Sequence, residues 1–356
     1  VGADATARSS STTSSEVVRA VLANGRTTGI GSLPHRDARV AARFALDAMG
    51  LPAIPTLPKR SPAEGMIAQA VVGIDGIAIG QYGSIAVDAR RIDPARPVAT
   101  DLQHDAFAGF RAFLAEAATA RASGSNALDA VKWQLVGPVT LGTALLRAGV
   151  PERIAFDVAA QAVRAHVQAL LGAVDRALPG CAQVVFLDEP SMGEVNEPGF
   201  PLAPDTAIDL VSGALAAIEH RAVAGVHCCG DADWAALISA GPRVLGVPAH
   251  ARVEASAGYL HDFLGRGGVI AWGVVPTDGP IPLSAERPWR RLTDLWCRLV
   301  QRGCDQVQLR QQCVVSPECG LGMHSAPVAE RVHRLVAEVG RRVHDQATAT
   351  RFVLGA

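Results

Sequence analysis

Eight short β-branched runs, each followed by a stretch of helical period rich in alanine and leucine, constrain this 356-residue chain more than any other feature. The runs lie at residues 28–32, 53–57, 133–137, 184–188, 223–227, 244–247, 269–274 and 313–316. The helical stretches between and after them include 37–49, 101–122, 151–177, 205–221, 231–240, 258–265, 285–302 and 326–343. Regular β/α alternation is the pattern of a parallel sheet covered by helices, and eight units predict a (β/α)8 TIM barrel. A doubly wound open sheet is the alternative, but no Gly-x-Gly-x-x-Gly turn follows the first run. No linker divides the body of the chain, so the expectation is one catalytic barrel domain over 26–356. Residues 64–97 form an insertion after the second strand, predicted to carry a hairpin built from 73–83 and 85–87. Residues 1–25, rich in Ser and Thr, read as a disordered tail without the apolar stretch of a secretory signal.

Composition excludes several classes. The formal net charge is −1 with acids and bases interspersed, which gives no electrostatic footprint for nucleic acid or an anionic membrane. No uncharged apolar run reaches the roughly 18 residues of a membrane helix. Seven cysteines at irregular spacing point to a reducing cytoplasm rather than to a disulfide framework. Only two residues, Lys59 and Lys132, are lysine among 33 basic residues.

In a barrel of this kind the chemistry sits on loops after the carboxyl ends of the strands. Ser32, Thr140, Asp188, Glu189, His227, Cys229, Glu318 and Cys319 all fall there. His227 and Cys229, two apart as they leave a strand, can share a face, and an imidazole nitrogen with a thiolate suits zinc. Cys319, in Ser316-Pro317-Glu318-Cys319-Gly320-Leu321-Gly322, would close a three-ligand site with an open position. A substrate thiol taken there would lose its proton and become a nucleophile. Buried packing is the alternative for the adjacent Cys228-Cys229 pair, and it is the reading for Cys181, Cys297, Cys304 and Cys313.

Gly29-Ile30-Gly31-Ser32-Leu33-Pro34, Gly137-Pro138-Val139-Thr140, Asp188-Glu189-Pro190, His227-x-Cys229 and Cys319-Gly320-Leu321 come in an order that resembles the C-terminal catalytic barrel of cobalamin-independent methionine synthase. The wider superfamily includes uroporphyrinogen decarboxylase and corrinoid-dependent thiol methyltransferases. The resemblance implies a cytoplasmic zinc methyltransferase of methionine biosynthesis, with homocysteine as the thiol and a folate or a methylcorrinoid protein as donor. It further implies that His227, Cys229 and Cys319 hold zinc, that Gly31 and Ser32 receive the substrate carboxylate, and that Asp188, with Glu189, faces its ammonium group. For Asp188 and Glu189 the alternative is a helix-start pair, and for Ser32 an ordinary cap.

The chain also departs from the family. The glutamate ligand expected after the next strand is replaced by Pro248-Ala249-His250, which leaves Glu254, or less readily His250, as the candidate fourth ligand. The tryptophan that stacks on folate after Gly-Pro-Val-Thr is replaced by Leu141-Gly142-Thr143, although Trp133 and Trp272 are expected near the rim. Two other readings stay open. One is a metal-free decarboxylase using Arg36 and Arg310 as carboxylate clamps, and the other is a non-catalytic barrel that binds an amino acid or zinc.

Overall fold

The computed structural model describes residues 21–124 and 128–354. Six of the expected strands and a two-residue strand just ahead of the first expected run form one parallel sheet: β1 (Arg26–Thr27), β4 (Ala130–Val136), β5 (Ala182–Asp188), β6 (Val223–His227), β7 (Val244–Pro248), β8 (Val269–Val275) and β9 (Cys313–Pro317), in the order β1-β9-β8-β7-β6-β5-β4. The remaining strands, β2 (Ile77–Ile79) and β3 (Ile85–Val87), pair antiparallel in the insertion, as the hairpin reading expects.

The run at 53–57 does not form a continuous ladder. Pro55 within it and Pro52 just ahead of it lack N–H donors, so it pairs only at single points. Thr28 bridges to Leu51, Ser32 to Thr56 and Ala53 to Lys132, all parallel, which sets this extended segment between the sheet's two outer strands, β1 and β4. The first expected run, 28–32, likewise forms no ladder: β1 ends just ahead of it, Thr28 and Ser32 pair only through these bridges, and Gly31 within it sits at φ +142°.

Alternate strand residues go to opposite sides. Val131, Trp133, Val185, Leu187, Val226, Val247, Trp272 and Val315 join the helices in the main core. Ala130, Val184, Phe186, Val223, Val244, Val269, Ala271 and Val314 pack on one another in a second cluster. Val21 and Leu22 plug that cluster from below, whereas residues 1–20 of the expected tail lie outside the described residues. Further along the strands, positions of the same parity as this inner cluster become polar: Lys132 and Gln134 on β4, Asp188 on β5, His227 on β6 and Ser316 on β9. Trp133 and Trp272 have the opposite parity and are fully buried under the helices, so neither stands at the rim.

The insertion is anchored by His166, which is wholly buried on the long helix Glu152–Ala177. Its Nε2–H donates to the Ala70 carbonyl (2.9 Å), and its Nδ1 accepts from the Thr100 hydroxyl (2.8 Å), so the neutral ring is fully satisfied. Among the described residues, no helix is long and apolar enough to cross a membrane.

Burial pushes His166 down to about 4 from 6.5. Between those values the unfolded chain binds the proton and the folded one does not. Stability from this group is therefore complete above about pH 6.5 and lost as pH falls toward 4, by up to about 3 kcal/mol. Urea denaturation at pH 7 and pH 5 should show that loss in the wild type and a smaller one in His166→Gln; equal losses would contradict this role.

Candidate functional site

The polar ends of the strands open into a cavity of about 360 Å³. Its floor and sides come from Ile30, Ser32, Gln134, Asp188, His227, Cys229 and Cys319. The insertion supplies the facing wall through Glu64, Gly65, Met66 and Gln69, which sequence reasoning did not anticipate. Met66 and Met323 give the mouth an apolar edge.

Parallel register sets Asp188 opposite His227 on neighbouring strands. His227 Nδ1 lies 3.2 Å from Asp188 Oδ1. An ionised carboxylate only accepts, so Nδ1 donates and Nε2 is left for another partner. Nε2 is turned toward the Cys319 loop, 3.4 Å from the Glu318 carbonyl. Space for the ring depends on Gly246, where a Cβ would come within 2.9 Å of His227 Cδ2.

Cys229 and Cys319 are hydrogen-bonded to each other through their sulfurs. That bond is the first cause both of the lowered pKa of Cys229 and of the raised pKa of Cys319. Cys228, by contrast, is fully buried and pushed up to about 11 by desolvation, in keeping with a packing role. Cys181 and Cys313 are likewise raised by burial, to about 11 and about 12.

Ser32 reaches the same loop from the other side. Its hydroxyl accepts from the Gly322 N–H (3.2 Å) and its carbonyl accepts from the Leu321 N–H (3.0 Å), which pins the segment carrying Cys319. A Cβ on Gly320 would overlap the Ser32 hydroxyl. Gly31 packs its α-carbon against the Gln134 amide, where any side chain would overlap. Both residues therefore shape the cavity, and Ser32 lines it directly.

Other candidates stand apart. Glu189 is fully buried and does not line the cavity; its carboxylate caps the helix Pro138–Arg147, accepting from the N–H of Val139 (2.9 Å) and Thr140 (2.7 Å). Burial dominates over these bonds and raises its pKa to about 7. Glu254 is ion-paired with Arg298 at 2.6 Å and is not part of the cavity wall. His250 Nδ1 is 3.2 Å from Glu318 Oε1, whose other partner is Arg291 at 3.1 Å. Arg36 is exposed, and Arg310 lies on the helix Gln306–Gln311 ahead of β9, at the end of that strand opposite Cys319; neither lines the cavity, so the carboxylate clamp of a decarboxylase is not formed by them.

Among the described residues, no group of three or more His, Cys, Asp or Glu side chains is gathered tightly enough to hold a metal ion as it stands. The donors are nevertheless of the right chemistry: two sulfurs hydrogen-bonded to each other, and an imidazole anchored through Nδ1 so that Nε2 is the nitrogen left for a metal.

Two unanticipated groups complete the electrostatics. Glu64 is buried against Arg60 (2.6 Å) and accepts from the N–H of Leu57 (3.1 Å) and Gly109 (3.2 Å), fastening the insertion to the sheet; desolvation raises its pKa. Lys132 is buried inside the sheet, with its ammonium 5.0 Å from the Phe186 ring centroid. Desolvation lowers it to about 8 against the pull of the Asp188 charge.

No family model and no curated protein matches the chain. Solved structures do. A B12-independent methionine synthase from Shewanella sp. W3-18-1, in complex with selenomethionine, is 14% identical over 91% of this chain and 99% of its own, with a TM-score of 0.60. A structure from Listeria monocytogenes, assigned as a vitamin B12-independent methionine synthase, is 15% identical over 90% of this chain and 98% of its own, with a TM-score of 0.52. At these identities the likeness is one of fold.

Glu189→Ala leaves two buried N–H groups without their acceptor and should cost about 1–3 kcal/mol for each. Urea unfolding reads this directly, and an unchanged midpoint would contradict the capping role.

Proposed function

We propose that this chain is a zinc-dependent methyltransferase acting on a thiol, with homocysteine the substrate that the motif order favours. On this reading the segment 51–57 is the eighth stave of a (β/α)8 barrel, joined by bridges where its prolines forbid a ladder. The observation that carries the proposal is the meeting of Cys229 and Cys319, hydrogen-bonded to each other, in one cavity with His227 and Asp188.

His227 through Nε2, with Cys229 and Cys319 through their sulfurs, would hold the metal. When bound, zinc supplies a Lewis acid that favours the deprotonated form of an incoming thiol. The chain's own groups do the rest. Asp188 keeps the imidazole in one tautomer with Oδ1, leaving its second oxygen for a cationic group such as a substrate ammonium. Ser32 fixes the Cys319 loop by accepting from Gly322, so the two cysteines meet in a preset geometry. The apolar mouth at Met66 and Met323 limits water around the reacting sulfur. In the transfer itself, the substrate sulfur gives up its proton to solvent and attacks the methyl carbon. The S–CH3 bond forms as the bond from methyl to its carrier breaks, and that electron pair leaves with the carrier. A methylated folate and a methylcorrinoid protein are the two donor classes under this proposal.

Metal analysis of the purified protein tests it. The wild type should hold about one equivalent of zinc, Cys229→Ala and Cys319→Ala should lose it, and Glu254→Ala should keep it. A wild type that takes up no zinc on reconstitution would defeat the proposal.

A further inference from the structure

We infer that Gln134 is a substrate-reading donor: its amide, oriented by Lys132, offers one N–H to a carboxylate of the molecule in the cavity. The inference rests on the thiol-methyltransferase reading and deepens it by naming a specificity residue on the cavity floor.

The amide orientation follows from its partners. Lys132 Nζ donates to Gln134 Oε1 (3.0 Å) and to the Ile30 carbonyl. An ammonium has donors only, so the amide oxygen must face it; the flipped amide would set an NH2 against an NH3+. Nε2 is thereby committed to the other side. One of its hydrogens reaches the Ile54 carbonyl at 3.3 Å, and the second has no partner among the described residues. Gln134 is only 9% exposed, yet it forms part of the cavity wall together with Ser32 and Asp188. A buried donor without a protein partner is satisfied by water or by a ligand.

Charge favours an anionic ligand group at this spot. The Lys132 ammonium, shielded from solvent by Phe186 and the strands, polarises the amide it holds, and its field is weakly screened in the interior. Asp188, along the same wall, favours a cation instead. A zwitterion bearing carboxylate and ammonium groups matches both. Gly31 makes the arrangement possible, because any side chain there would overlap the amide.

The test compares two thiols on the zinc-loaded protein by calorimetric titration: L-homocysteine, and 3-aminopropane-1-thiol, which lacks the carboxylate. The wild type should prefer L-homocysteine. Gln134→Met, similar in volume but unable to donate, should weaken L-homocysteine about tenfold or more and leave the aminothiol within about twofold. Lys132→Met, which frees the amide to flip, should narrow the preference in the same way; should that variant not fold, Gln134→Met decides alone. Equal weakening of both probes by Gln134→Met, or of neither, overturns the inference while the thiol reading survives. A zinc-loaded wild type that binds neither thiol sinks the thiol reading and the inference together.

Discussion

The parallel register that places Asp188 beside His227 is the constraint on which the site depends. In a parallel ladder the partners are fixed along the whole strand, so a slip of one residue would turn Asp188, Lys132 or His227 toward the helices. The apolar inner cluster beneath them, from Val184 and Phe186 to Val314, makes such a slip costly. Packing at the bottom of the sheet thus holds the chemistry at its top.

The site also concentrates ionisable groups in a place of low dielectric, and each is compensated locally. Glu64 has Arg60 and two backbone N–H groups, Glu189 has a helix N-terminus, and Lys132 has a carbonyl, an amide and the nearby charge of Asp188. Removing one partner from such an arrangement costs more than the pair contributes, since it leaves a polar group buried alone. The Cys229–Cys319 pair is different. Its two sulfurs have each other as hydrogen-bond partner, and a divalent cation with thiolate preference would replace that bond by expelling thiol protons.

Much of this organisation was legible in the sequence, and what was not has identifiable causes. Strand periodicity located six of the seven ladder strands and missed the two-residue β1 just ahead of the first expected run, and His-x-Cys spacing put two donors at the end of one of the six. Residues 53–57 carried the apolar signal of a strand, but Pro52 and Pro55 deprive the segment of ladder bonds. Glu189 was expected to face a substrate ammonium with Asp188, or else to start the next helix; it caps a helix about fifty residues earlier instead, a contact no local pattern encodes. Glu254 lay at a suggestive distance in sequence and is engaged by Arg298. Gln134 and Lys132 could have been found by counting strand parity from Ala130, which places both on the inner side. Glu64 could not, since its partners Leu57 and Gly109 are brought together only by the folded insertion.

Zinc K-edge absorption on the metal-loaded protein, with and without L-homocysteine, tests the central claim most directly. The account predicts one nitrogen and two sulfur scatterers contributed by the protein, and one additional sulfur at about 2.3 Å when the thiol is added. A zinc environment that lacks sulfur, or that does not change on adding the thiol, would contradict it.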